Sequence, residues 1–236
     1  HGAFLTGQAK FLSLFTAWKE DSSVYFFIEP CCLEKTFNYL NQMHFSKDLK
    51  IEKEICSVVE ARGMGAIFSE KNVEAFNWGM EGRYLISSEK QYESLSSAEF
   101  DSIRAQHGFP KPTVDLTEDN ILIEVPLLES FIDRHKGCYP GQEVIEKIYT
   151  YGRVAQKILR IQFGDLVEII PTLKNHSQNL PLDLIDEKEE KIGVLTSLHQ
   201  TDHGFLGLGR IKRRHYEQNC QCYVQAIKSS NIGTIV

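Results

Sequence analysis

The sequence predicts an α+β chain: lobes of ferredoxin-like character over residues 1–152, then a small antiparallel β-barrel over 153–236. Two observations predict it. Up to about residue 150, strand-like and helix-like patterns alternate with short connections between them. From Val154 onward, short strand patterns separated by turns and polar loops run on without helical periodicity. The 236 residues can bury a large core and suit two or three domains or subdomains.

In chain order, Gly7-Gln8-Ala9-Lys10 reads as a turn, and Phe11–Trp18 and Val24–Ile28 as two strands joined by Asp21-Ser22-Ser23. Leu33, Phe37, Leu40 and Met43 recur near helical spacing, so 33–43 is expected to be a helix. Ile55–Glu60 reads as a strand ending at Arg62-Gly63, Ile67–Phe76 as a short helix, and Gly82–Ile86 as a strand. Tyr92–Ile103 reads as a helix interrupted near Ser96. Val125, Leu128, Phe131 and Ile132 share one face of a short helix within Ile121–His135, with Pro126 suited to its first turn. The barrel strands are expected at Ala155–Phe163, Leu166–Ile170, Lys191–Leu198, Gly204–Ile211 and Cys222–Ile227, with Asn175–Leu184 a loop and Asp186–Lys191 a charged turn.

Composition excludes several classes. A net charge of −6 argues against a generic nucleic-acid binder. Apolar runs such as Val24–Ile28 are strand-sized, so no membrane span is expected. Cys31, Cys32, Cys56, Cys138, Cys220 and Cys222 lack zinc spacing and read as free thiols in a reducing compartment. His199 and His203 have His-x-x-x-His spacing but flank an expected hairpin turn, so surface or capping roles are expected and no metal site. Gly63-Met64-Gly65 lacks the lysine of a phosphate loop. The run Arg210, Lys212, Arg213, Arg214 either binds an anion or is a solvated strand end.

The chemistry concentrates in Lys136-Gly137-Cys138-Tyr139-Pro140-Gly141-Gln142-Glu143. Lys136 beside Cys138 favours a thiolate, while the glycines and Pro140 shape a tight turn; a plain loop cysteine is the other reading. The turn is expected just past a helix C-terminus, where that helix does not itself lower the thiol pKa.

This string resembles the signature of the YgfZ-type folate-binding proteins, relatives of the glycine-cleavage T-protein (aminomethyltransferase) linked to maintenance of iron–sulfur enzymes. The family's later arginine, basic residue and glycine fall on Lys147, Tyr151 and Gly152. Arg104-Ala105-Gln106-His107-Gly108-Phe109-Pro110 resembles a second family stretch, whose pterin-contacting glutamate falls on Gln106; a simple helix-ending turn is the alternative. Phe45–Glu52 resembles a strand entry, and Gly193–Ser197 and Gly207–Arg214 resemble barrel strands. The resemblance implies two interleaved lobes and a barrel around a central ligand channel, with tetrahydrofolate or a one-carbon derivative as cofactor. It implies Cys138 and Lys136 as working residues, and Gln106, Gly137, Tyr139, Gln142, Glu143 and Lys147 as folate contacts. Iron–sulfur assembly or client proteins are the expected partners, the chain is expected to be a monomer, and the compartment cytoplasmic, or the mitochondrial matrix in a eukaryote.

An aminomethyltransferase is the competing expectation. That chemistry needs an acid in the first domain, but the matching segment Phe11–Phe15, around Ser13, holds no carboxylate. His1 is not an initiator methionine, and an N-terminal piece carrying part of the folate site is expected to precede it.

Overall fold

The structure is a computed structural model that describes residues 1–46, 48–54, 58–62, 72–75, 77, 82–86, 95–164, 180–201, 204–216, 221–225 and 232–236. Among these residues it is a mixed α/β chain with two three-stranded antiparallel sheets and a closed six-stranded antiparallel barrel.

The first sheet is a meander of β1 (Gly2–Leu5), β2 (Phe11–Glu20) and β3 (Ser23–Phe27). Its β2–β3 hairpin closes with Glu20 opposite Ser23, and Asp21 takes a φ of 50°. Short polar side chains tolerate that conformation, which is why Asp-Ser serves as the loop. Helix α1 (Pro30–Met43) begins three residues before the expected Leu33, since Pro30 supplies a preformed first-turn φ. Its fully buried positions are Cys32 and Thr36, while Met43 is exposed. The Thr36 hydroxyl donates to Ser13 Oγ at 3.0 Å, tying α1 to β2.

Phe45–Glu52 is not a strand in its described residues. Phe45 is 90% exposed, and Ser46 Oγ accepts from the Asp48 amide in a local turn. The second sheet has the order β4-β6-β5, from β4 (Val58–Arg62), β5 (Asn72–Glu74) and β6 (Gly82–Ile86). The helix expected over 67–76 is therefore wrong where it can be seen: Asn72–Glu74 pairs with β6, and the Ala75 amide extends the ladder to Gly82. Ile55, Cys56, Gly63-Met64-Gly65, Tyr92, Leu166–Ile170, His203 and Cys220 lie outside the described residues.

Helix α2 (Ser97–Gln106) starts at a reciprocal cap, with Ser96 and Glu99 each satisfying the other's backbone amide. It stops where Gly108, at φ 71°, turns the chain so that the Gly108 and Phe109 amides reach Ala105 O and Arg104 O. The expected α-helix within 121–135 is instead two 3-10 turns, Leu122–Glu124 and Pro126–Phe131. Val125, Leu128 and Phe131 recur every three residues, the 3-10 repeat, and Pro126 removes a backbone donor. Helix α3 (Gln142–Tyr151) follows and was not expected. Val144, Ile145, Ile148 and Tyr149 give it a clear apolar face, packed with Ala9, Ile123, Tyr139 and Val154.

The barrel runs β10-β7-β12-β11-β8-β9, from β7 (Gln156–Phe163), β8 (Leu182–Ile185), β9 (Lys191–Thr201), β10 (Gly204–Lys212), β11 (Gln221–Val224) and β12 (Ile232–Ile235). Residues 182–184, expected in a loop, belong to β8, and β12 was not foreseen. The charged turn is present, with Asp186 and Glu190 bonded through their backbones. Ile161, Phe163, Leu184, Ile192, Leu195 and Ile211 fill the barrel. The outer wall does different work: Ile158, Leu206 and Leu208 join Leu5, Phe11, Leu116, Leu122 and Leu128 in one core. Barrel and lobes thus share buried apolar surface, the dominant stabilising term.

Candidate functional site

Two places gather candidate functional groups, and no residue of one lines the other. The first is the Lys136–Glu143 turn. Gly141 stands at φ 84°, and a Cβ there would lie 2.5 Å from Ala9 Cα and 2.8 Å from Thr6 O. Glycine is required because the turn is pressed onto the β1–β2 loop. Gly137, by contrast, has no atom within 4 Å of where a Cβ would be.

Lys136, Gly137 and Cys138 are exposed, and Cys138 is a free thiol. The Lys136 ammonium sits over the Tyr139 ring, 4.8 Å from its centroid. Tyr139 packs its ring under α3, its buried hydroxyl has no partner among the described residues, and burial raises its pKa. Arg134 is held by Glu146, at 2.7 Å, and stacks over Tyr149 at 4.6 Å. Glu143 and Lys147 bind each other across one helical turn at 2.6 Å, and that lysine bond lowers the Glu143 pKa. Gln142 and Glu143 open α3. The turn therefore precedes a helix N-terminus instead of directly following a helix end, which corrects the expected surroundings of Cys138.

The second place is a shallow cleft of about 530 Å³, counted out to its open mouth. Its apolar walls are Leu14 and five phenylalanines, Phe15, Phe27, Phe100, Phe109 and Phe131. Thr16, Glu29, Glu60, Arg62 and Arg104 supply its polar groups. Glu60 holds Arg62, with Oε1 2.6 Å from Nε and 2.5 Å from Nη2. Arg104 is buried and donates to Phe109 O at 2.5 Å and to Asp101 at 3.3 Å, with Asp115 at 3.6 Å. Asp115 is itself fully buried and accepts from Thr196 of β9 at 2.6 Å, so one network joins cleft, α2 and barrel. Burial raises the pKa of Glu29, which Arg104 opposes.

The structure brings Lys136, Gly137, Cys138, Tyr139, Gln142, Glu143 and Lys147 together around one turn, and none of them lines this cleft. Gln106 lies apart from them, exposed on the last turn of α2, its carbonyl accepting from Arg160 at 2.7 Å. Ser13 is buried and offers no carboxylate. Of the basic run, Arg214 pairs with Glu190, and Lys212 donates to Lys191 O. His199 is half-buried on β9, and its Nε2 has no partner among the described residues. Among the described residues, no group of three or more His, Cys, Asp or Glu is placed to hold a metal ion. No helix among them is long and apolar enough to cross a membrane. Sequence reasoning missed Glu29, Glu60, Arg62 and Arg104, because the cleft draws them from separate segments.

No family model matches the chain. Over 122 residues, 51% of the chain, it is 29% identical to a protein of Arabidopsis thaliana described as "putative transferase, chloroplastic". The match covers 25% of that relative, so the chain spans about a quarter of its length. Among solved structures, 99% of the chain superposes on 73% of the glycine cleavage system aminomethyltransferase T of Bartonella henselae, with a TM-score of 0.76 and 13% identity. The chain has the fold of the glycine-cleavage aminomethyltransferase T.

Proposed function

We propose that this chain is a YgfZ-type protein that binds tetrahydrofolate, or a one-carbon derivative of it, in the phenylalanine-walled cleft. On this reading it supports assembly or repair of iron–sulfur enzymes through the Lys136–Glu143 turn. Residues 1–152 form the folate-binding lobes and 153–236 the barrel that closes them. The observation that carries the reading is the cleft: flat aromatic walls and a few fixed polar groups suit a planar, nitrogen-rich ring. The exposed Cys138 beside Lys136 gives the turn its chemistry, as a nucleophile, redox group or transient ligand toward a protein partner in a reducing compartment. The folate contacts implied for Gln106 and for the turn residues Gly137, Tyr139, Gln142, Glu143 and Lys147 lie outside the cleft. The reading therefore gives ring contact to the cleft and partner contact to the turn. An aminomethyl transfer is disfavoured by Ser13, which is buried where the acid is needed.

Titration calorimetry with tetrahydrofolate under reducing, anaerobic conditions tests the reading. Saturable binding in the micromolar range, about −8 kcal/mol, is expected. Absence of saturable heat overturns it. Cys138→Ala is expected to keep this binding while abolishing maintenance of iron–sulfur enzymes in cells. Unchanged maintenance in that variant would remove the thiol from the function.

A further inference from the structure

Glu29 occupies the N-cap position of α1, yet its side chain makes no capping hydrogen bond. It lines the cleft instead. The two cleft guanidiniums are already matched, Arg62 by Glu60 and Arg104 by Asp101 and Asp115. Glu29 has no such match among the described residues. Among the described residues, the carboxylate's hydrogen-bonding neighbour is the Cys31 thiol, 3.8 Å from Oε2.

Arg104 and Lys111 act on this carboxylate only from a distance, and a partly buried carboxylate with no direct ion pair is costly to keep unless something occupies its acceptors. The α1 N-terminus helps carry the charge, which explains why an acid is tolerated there. It does not explain why the carboxylate lies against phenylalanine walls. Ser13 and Gln106 are not acids, although the family resemblance implies an acid at each of those positions. Leu14, Phe15 and Thr16, which follow Ser13 directly, line the same cleft as Glu29.

We propose that Glu29 is the ligand-orienting acid of the cleft, accepting two adjacent N–H donors from the edge of a flat heterocycle that lies between the phenylalanines. A carboxylate offers two oxygens in one plane, the complement of an amidine-type edge. The identity of that ring as a pterin rests on the folate reading; the donor chemistry does not.

The test uses calorimetry with three probes on the wild type, Glu29→Gln and Glu29→Ala. The probes are tetrahydrofolate, 6-methyltetrahydropterin as the ring alone, and p-aminobenzoylglutamate as the tail alone. Glu29→Ala is expected to weaken tetrahydrofolate and the ring at least tenfold, with Glu29→Gln intermediate and any tail binding unchanged. The unfolding midpoints should not fall below the wild-type value, because no cap is lost and an unmatched carboxylate is removed. Equal tetrahydrofolate affinity in wild type and Glu29→Ala overturns the role of Glu29 and leaves the folate reading standing. Glu29-dependent binding of the ring without binding of tetrahydrofolate overturns the folate reading and supports the role of Glu29. Binding of neither overturns both, and an equal loss on all three probes with a lowered midpoint makes Glu29 structural.

Discussion

Gly141 and Ala9 are in backbone contact: a Cβ on Gly141 would lie 2.5 Å from Ala9 Cα. Both residues have positive φ, 84° and 61°, so two special turns are pressed together. Gly141→Ala cannot relieve the clash by rotating a side chain, since the opposing atoms are backbone. We expect it to cost about 2 kcal/mol or more in urea unfolding. Gly137→Ala, with open space around it, is expected to change stability by no more than about 0.5 kcal/mol. Equal costs would show that both glycines serve the fold.

The Arg104–Asp115–Thr196 network joins α2 to the barrel through fully desolvated groups. Removing one member of a buried ion pair strands the other charge, which typically costs about 3–5 kcal/mol. Arg104 keeps Asp101, so Asp115→Ala should cost less than that, about 1–3 kcal/mol, and Thr196→Val about 1 kcal/mol. The double variant should fall short of the sum, because both changes remove the same hydrogen bond. Strict additivity in denaturant unfolding would show that the two side chains act independently.

Much of this fold is legible from pattern. The β2–β3 hairpin follows from alternation around Asp21-Ser22, and the barrel from repeated short strands after Val154. Local competition explains the misses. Val73 and Phe76 fit a helical face, but Asn72–Glu74 pairs with β6, and that partner is invisible to a local window. Helix α3 is masked in sequence by the glycine- and proline-rich turn that precedes it, although Val144, Ile145 and Ile148 carry its period. The cleft was out of reach for a different reason. Its polar groups come from residues 16, 29, 60, 62 and 104, and only tertiary packing brings them to one place. Glu29 beside Pro30 reads in sequence as an ordinary helix start.

Glu124 gives a pH-dependent test of the interior. It is 5% exposed, and its Oε2 accepts from Asn120 at 2.7 Å and Gln156 at 3.2 Å. Burial raises its carboxyl above the ordinary 4.5, and the two hydrogen bonds only partly oppose this. Between that value and the folded pKa, the native state holds a proton that the unfolded chain has released. The stability linked to this group is thus full below pH 4.5 and is lost as pH rises through the folded pKa. Glu124→Gln removes the titration, so its stability relative to wild type should improve as pH rises from 4.5 toward neutrality. A difference that stays constant with pH in denaturant unfolding would show that Glu124 titrates as in the unfolded chain.

The four described cysteines should separate by accessibility. Cys138 and Cys31 are exposed, whereas Cys32 and Cys222 are buried. Burial pushes the Cys32 thiol up to about 12, with the neighbouring Cys31 adding to the shift, so its thiolate is scarce at neutral pH. Treating the native protein with N-ethylmaleimide and locating the adducts by mass spectrometry should find Cys138 and Cys31 modified first. Cys32 and Cys222 should react only after unfolding. Because Cys138 makes no hydrogen bond among the described residues, Cys138→Ser should leave the unfolding free energy within about 0.5 kcal/mol of wild type. Slow labelling of Cys138 in the native state would mean that the turn is covered in solution. The thiol would then be unable to meet a protein partner without a prior opening of the Lys136–Glu143 segment.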